Sequence, residues 1–234
     1  MSAVIGAVFA RGGSQGVPGK NLQEVGGRSL VAGAVADALA CAGIDRVVVS
    51  TDDPAIAAAA ESAGGEVPWL RPAELATATA REWDAWQHLL RWLDERGELP
   101  DRMLVVPATA PLRRVADLER CLAVAADPDV DVVLTVSPAH RNPWFNMVTV
   151  DDGGRARLVN EPAERIHRRQ DAPAVFDVGT VAFVADTRFV LRSTSLYDGE
   201  VRAVEVEPAT AIDIDTPFDL ALARAIHSLR EDPA

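Results

Sequence analysis

Apolar and polar positions along the chain alternate in blocks that predict strands followed by helices. Residues 3–10 form an unbroken apolar run, which is expected of a strand buried on both faces of a sheet. Further apolar runs predict strands at 46–50, 103–107 and 131–136. Helical spacing predicts helices at 28–42, after Asp52 and Asp53, at 82–96 and at 115–126. Strands that alternate with helices are joined by parallel crossovers. We therefore expect an α/β fold, a mostly parallel sheet with helices on both faces.

The pattern changes beyond residue 140. Short apolar segments at 144–150 and 155–159 flank an Asp-Asp-Gly-Gly turn, which predicts a β-hairpin. The stretch 161–171 is polar and basic. We interpret 140–175 as an inserted β-rich arm and as the contact in a homodimer. The sheet is predicted to resume at 175–184 and near 201–206, before a short strand and a C-terminal amphipathic helix.

Composition and charge narrow the class of protein. The chain has 234 residues, of which 48% are apolar and 25% charged, typical of a single globular domain over 1–234. A net charge of −12 argues against partners such as nucleic acids and anionic membranes. No apolar segment is long enough to span a bilayer, and the N-terminus does not resemble a signal peptide. Cys41 and Cys121 are interpreted as buried thiols of a reducing compartment, so we expect a cytoplasmic protein.

A glycine-rich segment, ARGGSQGVPGKN at 10–21, carries the most specific chemical signal. It follows the first strand directly, where an open parallel sheet places its ligand crevice. Its glycines allow backbone N–H groups to approach phosphate oxygens, and Arg11 and Lys20 bracket the loop with positive charge. The segment is not a Walker A loop. We expect it to bind a triphosphate, the alternative being a solvated surface loop.

Asp213 and Asp215 form a second candidate site near the C-terminus. In an extended segment, side chains at positions i and i+2 share one face, so both carboxylates can bind the same cation. A divalent metal held there would neutralise charge that develops on a leaving pyrophosphate. The competing role for Asp215 is to cap the following helix.

The ends of other predicted strands add weaker candidates. Asp52 and Asp53 follow the second strand and are interpreted as helix caps. Arg71 lies in a turn or extended segment, from which its side chain could reach a base or a phosphate. Thr109 and Arg113 follow a later strand and are expected to face the same crevice.

Taken in order, these segments resemble the acylneuraminate cytidylyltransferase family, whose members make CMP-sialic acid and related CMP-sugar acids. The resemblance covers nearly the whole chain and rests on ARGGSQGVPGKNL, RVVVSTDDPAIA, RPAELAT, TAPLR, RRQDAPAVF and DIDTPFDL. It implies a Rossmann-like nucleotidyltransferase sheet with a small dimerisation arm. It also implies a Mg²⁺-dependent enzyme that transfers CMP from CTP to a small acidic acceptor and releases pyrophosphate.

The resemblance assigns roles to the residues at matching positions. Arg11, Lys20, Asp213 and Asp215 are the implied catalytic residues, and the two aspartates are the implied Mg²⁺ ligands. The implied nucleotide-binding residues are Ala10, Gly12, Gly13, Ser14, Asn21, Arg71 and Thr79. One threonine and four arginines are the candidates for binding the acceptor, namely Thr109, Arg113, Arg141, Arg168 and Arg169.

The sequence departs from the family where the family holds its sugar. A glutamine of the family's strand-end loop is Pro107 here, and an arginine followed by asparagine is replaced by Asp177 and Val178. Loss of these hydrogen-bonding side chains disfavours a polyhydroxylated acceptor. We therefore expect a small phosphonate such as phosphonoformate, as in the branch of the family that works in phosphonate natural-product pathways.

Three alternatives stay open. In the first, the acceptor is a 2-keto sugar acid of the sialic-acid type. The second is a glycosyltransferase that holds its metal with the Asp-x-Asp pair, although such an enzyme needs no triphosphate-binding loop. The third is an inactive nucleotide-binding regulator, which the intact Arg11, Lys20, Asp213 and Asp215 disfavour.

Overall fold

The chain folds around a six-stranded sheet, and the computed structural model describes residues 3–161, 164 and 166–231. The strands are β1 (Val4–Phe9), β2 (Glu24–Val25), β3 (Arg28–Ser29), β4 (Val47–Ser50), β5 (Arg102–Val105), β6 (Val132–Pro138), β7 (Val148–Val150), β8 (Ala156–Leu158), β9 (Phe176–Asp186) and β10 (Val201–Glu205). The α-helices are α1 (Leu30–Leu39), α2 (Pro54–Ser62), α3 (Glu82–Asp94), α4 (Val115–Val124), α5 (Thr187–Arg192) and α6 (Pro217–Glu231). Within the described residues, no helix is both long and apolar enough to cross a membrane.

The sheet has the strand order β10-β6-β9-β5-β1-β4. β1 pairs in parallel with β4 and β5, and β6 pairs in parallel with β10. β9 is antiparallel to both of its neighbours, β5 and β6. All strands of this sheet except β9 therefore point in one direction, and their carboxyl ends lie along one edge. The predicted α/β fold with a mostly parallel sheet is confirmed.

Helices cover both faces of the sheet, and alternate residues of one strand pack against different helices. On one face, Leu104 of β5 and Val133 of β6 belong to a buried cluster with residues of α1, α2, α4 and α6. On the other face, Met103 and Val105 pack with Leu89 and other residues of α3 and α5. Because both faces are filled with apolar side chains, the strand ends are where polar side chains gather.

Local sequence explains where two of the helices begin. α1 starts at Leu30, later than predicted, because the two residues before it pair with β2 in a small hairpin. The hairpin turn holds Gly26 and Gly27 at φ values of 60° and 71°, a conformation that favours glycine. α2 begins after Asp53, whose carboxylate accepts a hydrogen bond from Ala55 N at 2.7 Å. The predicted cap at Asp53 is therefore confirmed.

The segment predicted as an arm contains the expected hairpin. β7 and β8 pair antiparallel across the Asp-Asp-Gly-Gly turn. The arm also exposes apolar side chains, since Met147, Val148, Val150 and Val159 are each between 41% and 63% accessible. Residues 162, 163 and 165 of the predicted arm lie outside the described residues. The structure therefore shows an arm with an open apolar surface.

Candidate active site

Loops from several strands meet at the edge where the parallel strands end. The glycine-rich loop follows β1, and further loops follow β4 and β5 at the same edge. The segment 211–215 crosses to them from the direction of β10, and Ile214 N donates to Thr109 O at 2.9 Å. The short strand predicted before α6 is not formed, because this backbone is bound to a loop and not to a neighbouring strand. The sequence-predicted triphosphate loop and metal pair thus lie at one edge of the sheet.

Polar contacts hold the glycine-rich loop at both ends. Gly12 N donates to the Asp52 carboxylate at 2.9 Å, and the buried Asn21 amide donates to Arg11 O at 2.9 Å. Asp52 therefore fixes the loop and does not cap α2, which corrects its predicted role. Between these anchors the loop is more open, and Gly13 is exposed. An anchored loop with exposed backbone N–H groups is suited to binding an anion.

Lys20 joins the glycine-rich loop to the predicted metal segment. Its ammonium donates to Ile214 O at 2.7 Å and to the Asp215 carboxylate at 3.1 Å. The backbones are close as well: a Cβ added to Gly16 would lie 2.0 Å from Asp215 O, so only glycine fits there. The Lys20 side chain is 15% exposed. Because an ammonium has three donors, one is left for a phosphate oxygen.

Asp215 does not cap the helix that follows it, so the competing explanation for this residue is wrong. Thr216 is the cap: its hydroxyl accepts from Asp219 N at 3.3 Å, and the Asp219 carboxylate accepts from Thr216 N at 2.7 Å. Hydrogen bonds from the Thr216 hydroxyl and backbone hold the pKa of Asp219 below its usual value. Because Thr216 and Asp219 supply the cap, the Asp215 carboxylate is available for its hydrogen bond with Lys20 and for binding a cation.

The chemistry of Asp213 and Asp215 fits a magnesium ion. Oδ1 of Asp213 is buried without a hydrogen-bond partner, a costly arrangement for a carboxylate unless a cation binds it. Across the described ranges, no group of three or more His, Cys, Asp or Glu side chains is placed to hold a metal. A magnesium ion here would take two protein carboxylates, and substrate phosphates with water commonly supply its other ligands.

A first cleft lies beside the glycine-rich loop. Its lining consists of Phe9, Arg11, Arg71, Leu75, Thr77, Ala80, Arg81 and Glu82. Arg71 is buried, donates from Nε to Ser50 Oγ at 2.9 Å, and lies 5.8 Å from the centre of the Phe9 ring. Burial lowers the pKa of Arg71, and nearby acidic groups oppose that effect. Arg11 donates to Thr77 O at 2.5 Å. The cleft therefore brings together Arg71, a predicted nucleotide-binding residue, and Arg11, a predicted catalytic residue.

A second cleft shares one wall with the first. It has a volume of about 330 Å³ and is lined by Arg81, Glu82, Trp83, Trp86, Phe183, Thr194, Ser195, Leu196 and Tyr197. Aromatic and aliphatic groups form most of its surface, and Tyr197 is 65% exposed. Because Arg81 and Glu82 belong to both clefts, a molecule in the second cleft would lie next to an occupant of the first.

Arg113 is not available to an acceptor, which corrects the sequence prediction. Its side chain is fully buried and pairs with Asp37 at 3.1 Å. The same guanidinium donates to Val181 O at 3.2 Å and to Pro107 O. Burial raises the pKa of Asp37, and the nearby Arg113 opposes that effect. Arg113 therefore fixes the loop after β5 against the sheet.

The other predicted acceptor arginines lie on the arm. Arg168 pairs with Asp171 at 2.9 Å, and Arg169 donates to Ala139 O at 2.9 Å. Arg141 is exposed. None of the three lines either cleft, so within one chain the structure does not bring them to the site.

The two predicted threonines lie at the margins of the site. Thr109 contacts the metal segment through its backbone carbonyl. Thr79 is exposed, and its hydroxyl lies 3.4 Å from that of Thr77, a residue of the first cleft. Both residues therefore adjoin the site without filling it.

Sequence reasoning gave one acidic residue of the site another role, that of a helix cap, and missed a second. Asp52 is the second residue after β4, as Arg11 is the second residue after β1, and this shared position was a usable signal. Glu82 begins α3 and lines both clefts. Its sequence position did not distinguish a residue of the site from an ordinary helix residue, because glutamate is favoured in the first turn of any helix.

Comparison with known proteins gives matches along the chain. Residues 5–141 match the family model described as Cytidylyltransferase. The chain is 29% identical to the "Post-translational flagellin modification protein B" of Campylobacter coli over 223 residues, 95% of this chain and 94% of the relative. It is 27% identical to the CMP-N,N'-diacetyllegionaminic acid synthase of Campylobacter jejuni over 231 residues, 98% of this chain and 97% of the relative.

A solved structure matches the fold. It is that of CMP:2-keto-3-deoxy-manno-octonic acid synthetase complexed with CTP, with a TM-score of 0.73 and 20% sequence identity. The match covers 98% of this chain and 100% of the other. At this identity the likeness shows the fold, and it confirms the predicted nucleotidyltransferase architecture.

Loss of either partner of the Lys20–Asp215 pair should affect turnover strongly. Lys20→Ala removes a charge beside the triphosphate loop, and Asp215→Ala removes a candidate metal ligand. Each is expected to lower kcat for pyrophosphate release from CTP at least about a hundredfold. Glu61→Gln, at an exposed position of α2 outside both clefts, is the control and should stay near wild type. Near-normal turnover in both variants would contradict the site assignment.

Replacement of Arg113 should affect stability. Arg113→Met leaves Asp37 and two backbone carbonyls without their donor, so the free energy of unfolding should fall by about 3 kcal/mol. Denaturant unfolding measures this change. Arg192→Met is the control, because Arg192 pairs with Asp131 on the surface, and should cost less than about 1 kcal/mol. If Arg113→Met leaves stability unchanged and raises the KM for the acceptor, the structural role is contradicted and Arg113 binds the acceptor as the sequence predicted.

Proposed function

The chain belongs to the cytidylyltransferase family, and on that premise we propose that its acceptor is a 2-keto sugar acid of the sialic-acid type. The chain is a nucleotidyltransferase that uses CTP. In the proposed reaction, an acceptor oxygen forms a bond to the α-phosphorus of CTP. The bond from that phosphorus to the β-phosphate oxygen breaks, and pyrophosphate leaves. The proton of the acceptor hydroxyl passes to solvent.

The second cleft is the observation that carries this choice of acceptor. Its volume of about 330 Å³ lies in the usual range for small-molecule sites, and its aromatic walls suit the C–H faces and substituents of a sugar acid. A phosphonate as short as phosphonoformate has no comparable apolar surface to bury. Arg81, on the shared wall, supplies positive charge for the acceptor carboxylate.

The named relatives support the same choice. Relatives called CMP-N,N'-diacetyllegionaminic acid synthase align over nearly the whole chain. They favour the sugar-acid alternative over the phosphonate that the sequence departures suggested. Neither Pro107 nor Asp177 lines the second cleft, so those departures do not weigh against an acceptor bound there.

The proposed role of the glycine-rich loop is to hold the triphosphate and neutralise its charge. Gly13 offers its backbone N–H group, and Lys20 has one donor left beside its bonds to Ile214 and Asp215. Arg11 adds positive charge from the first cleft. A phosphoryl-type transfer needs little from the protein besides such positioning and charge stabilisation.

We propose Mg²⁺ as the metal, with Asp213 and Asp215 as its protein ligands. The buried, unpartnered Oδ1 of Asp213 supports this assignment. When bound, the ion would supply positive charge to triphosphate oxygens. Lys20 keeps the Asp215 carboxylate in position through their hydrogen bond.

We propose that the arm joins two copies of this chain. Four exposed apolar residues of the arm, together with Phe176 and Val178 at 46% and 51% exposure, are features typical of an interaction surface. Arg168 and Arg169 belong to the same arm. In a dimer they are the residues we expect to lend charge to the site of the other copy.

A cytoplasmic location is also proposed. Cys41 and Cys121 are free and buried, and burial raises their pKa values to about 11 and about 12. Buried reduced thiols suit a reducing compartment.

An acceptor panel tests the proposed function. Pyrophosphate release from CTP and Mg²⁺ is measured with N-acetylneuraminate, a 3-deoxy-2-keto sugar acid, phosphonoformate and another short phosphonate. Turnover is expected with at least one sugar acid, at a rate at least about tenfold above either phosphonate. Turnover with phosphonates alone would overturn the proposed acceptor while leaving CMP transfer intact.

The dimer is tested by light scattering at working concentration. The wild-type chain should have about twice its monomer mass, since the exposed apolar side chains of the arm would be buried between copies. A Val148→Asp, Val150→Asp double variant places charge on that surface and should be monomeric. A change of Glu61→Gln on α2 is the control. A monomeric wild type would refute the proposal.

A further inference from the structure

Among the described residues that line the first cleft, Glu82 is the only acidic one. The other charged residues of that lining are Arg11, Arg71 and Arg81. A carboxylate repels phosphate, so Glu82 is unsuited to contact the triphosphate. Its chemistry suits a hydrogen-bond donor on the nucleotide, since an ionised carboxyl group can only accept.

The structure holds one oxygen of Glu82 and leaves the other open. Trp86, one turn later in α3, donates from its indole N–H to Glu82 Oε1 at 3.2 Å. Trp86 is itself buried, so this bond fixes the direction of the carboxyl group. Within the described residues, no hydrogen bond to Oε2 is present, so this oxygen is open to a ligand.

The nearby cations do not satisfy this second oxygen. Arg81 donates to Thr194 O at 2.5 Å and lies 3.8 Å from Asp84. Arg71 is bound to Ser50. Within the described residues, no ion pair joins Glu82 to a cation. Although the side chain as a whole is accessible, the surrounding cleft desolvates the carboxyl group and raises the pKa of Glu82. A ligand donor would relieve that cost.

CTP offers two kinds of donor, the 4-amino group of cytosine and the ribose hydroxyls. The cleft walls favour the base, because Phe9, Leu75 and Ala80 form an apolar surface that suits a flat ring. We propose that the open oxygen of Glu82 accepts a hydrogen bond from the cytosine 4-amino group and so selects CTP over UTP. Uracil carries a carbonyl oxygen at that position, and two acceptors facing each other repel.

This inference rests on the proposed binding of CTP in the first cleft, and a binding experiment without acceptor tests it separately. Calorimetry with Mg²⁺ gives the Kd values of CTP, UTP and 2'-deoxy-CTP for wild type and for Glu82→Gln. In the variant, the amide oxygen keeps the bond from Trp86, and the amide N–H₂ replaces the open oxygen. A donor there repels the cytosine amino group and can donate a hydrogen bond to uracil O4.

The wild type should bind CTP at least about tenfold more tightly than UTP, the discrimination expected of one good contact to a base edge. Glu82→Gln should lower that ratio at least about tenfold, with weaker CTP binding and tighter UTP binding. The ratio between CTP and 2'-deoxy-CTP should stay the same. Glu74→Gln, a change of the same charge at an exposed residue outside the lining, should leave both ratios at wild-type values.

The inference is overturned if Glu82→Gln keeps the wild-type preference for CTP, or if it alters the preference for the 2'-hydroxyl instead. The second result would assign Glu82 to the ribose. Either result leaves CMP transfer standing, because the acceptor panel measures that separately. Equal wild-type binding of CTP and UTP also overturns the inference without affecting the proposed acceptor.

Discussion

The contact between Lys20 and the segment 213–215 is the interaction on which the site depends. It joins residues 195 positions apart and brings the loop after β1 against the last loop before α6. The absence of a side chain at Gly16 allows the two backbones to approach so closely. The glycine-rich loop and both carboxylates thus have a fixed relation before any ligand binds, and such preorganisation lowers the entropy that a reaction at this site would lose.

Local patterns were enough to predict the fold and the sheet edge at which the candidate site lies. Apolar runs and helical spacing define the elements, and loops after parallel strands must meet at one edge of the sheet. The direction of β9 lay beyond such reasoning, because a continuous apolar run looks the same in either direction. Arg113 could not be assigned for a similar reason. An arginine after a strand has the same sequence pattern whether its side chain faces the crevice or is buried beneath it. Tertiary packing, here the pairing with Asp37, decides between the two.

The acceptor that we propose could not be derived from the sequence for a related reason. The second cleft is built from α3, β9 and the loop at 194–197, and α3 precedes the other two segments by about a hundred residues. The three segments carry no common motif. The sequence shows departures such as Pro107 and Asp177, but it does not show that these residues lie outside the lining of this cleft. A motif reports the chemistry of one loop, whereas the shape of a binding surface depends on how several elements pack.

β9 occupies the centre of the sheet although it comes late in the chain. β5 and β6 do not pair with each other, and each pairs with β9. During synthesis, the chain therefore presents two open strand edges until residues 176–186 leave the ribosome, and open edges are where nascent chains associate wrongly. The family match covers residues 5–141, which end before β9 and β10. The matched segment is therefore not a complete sheet, and the sheet closes only when the rest of the chain has been made.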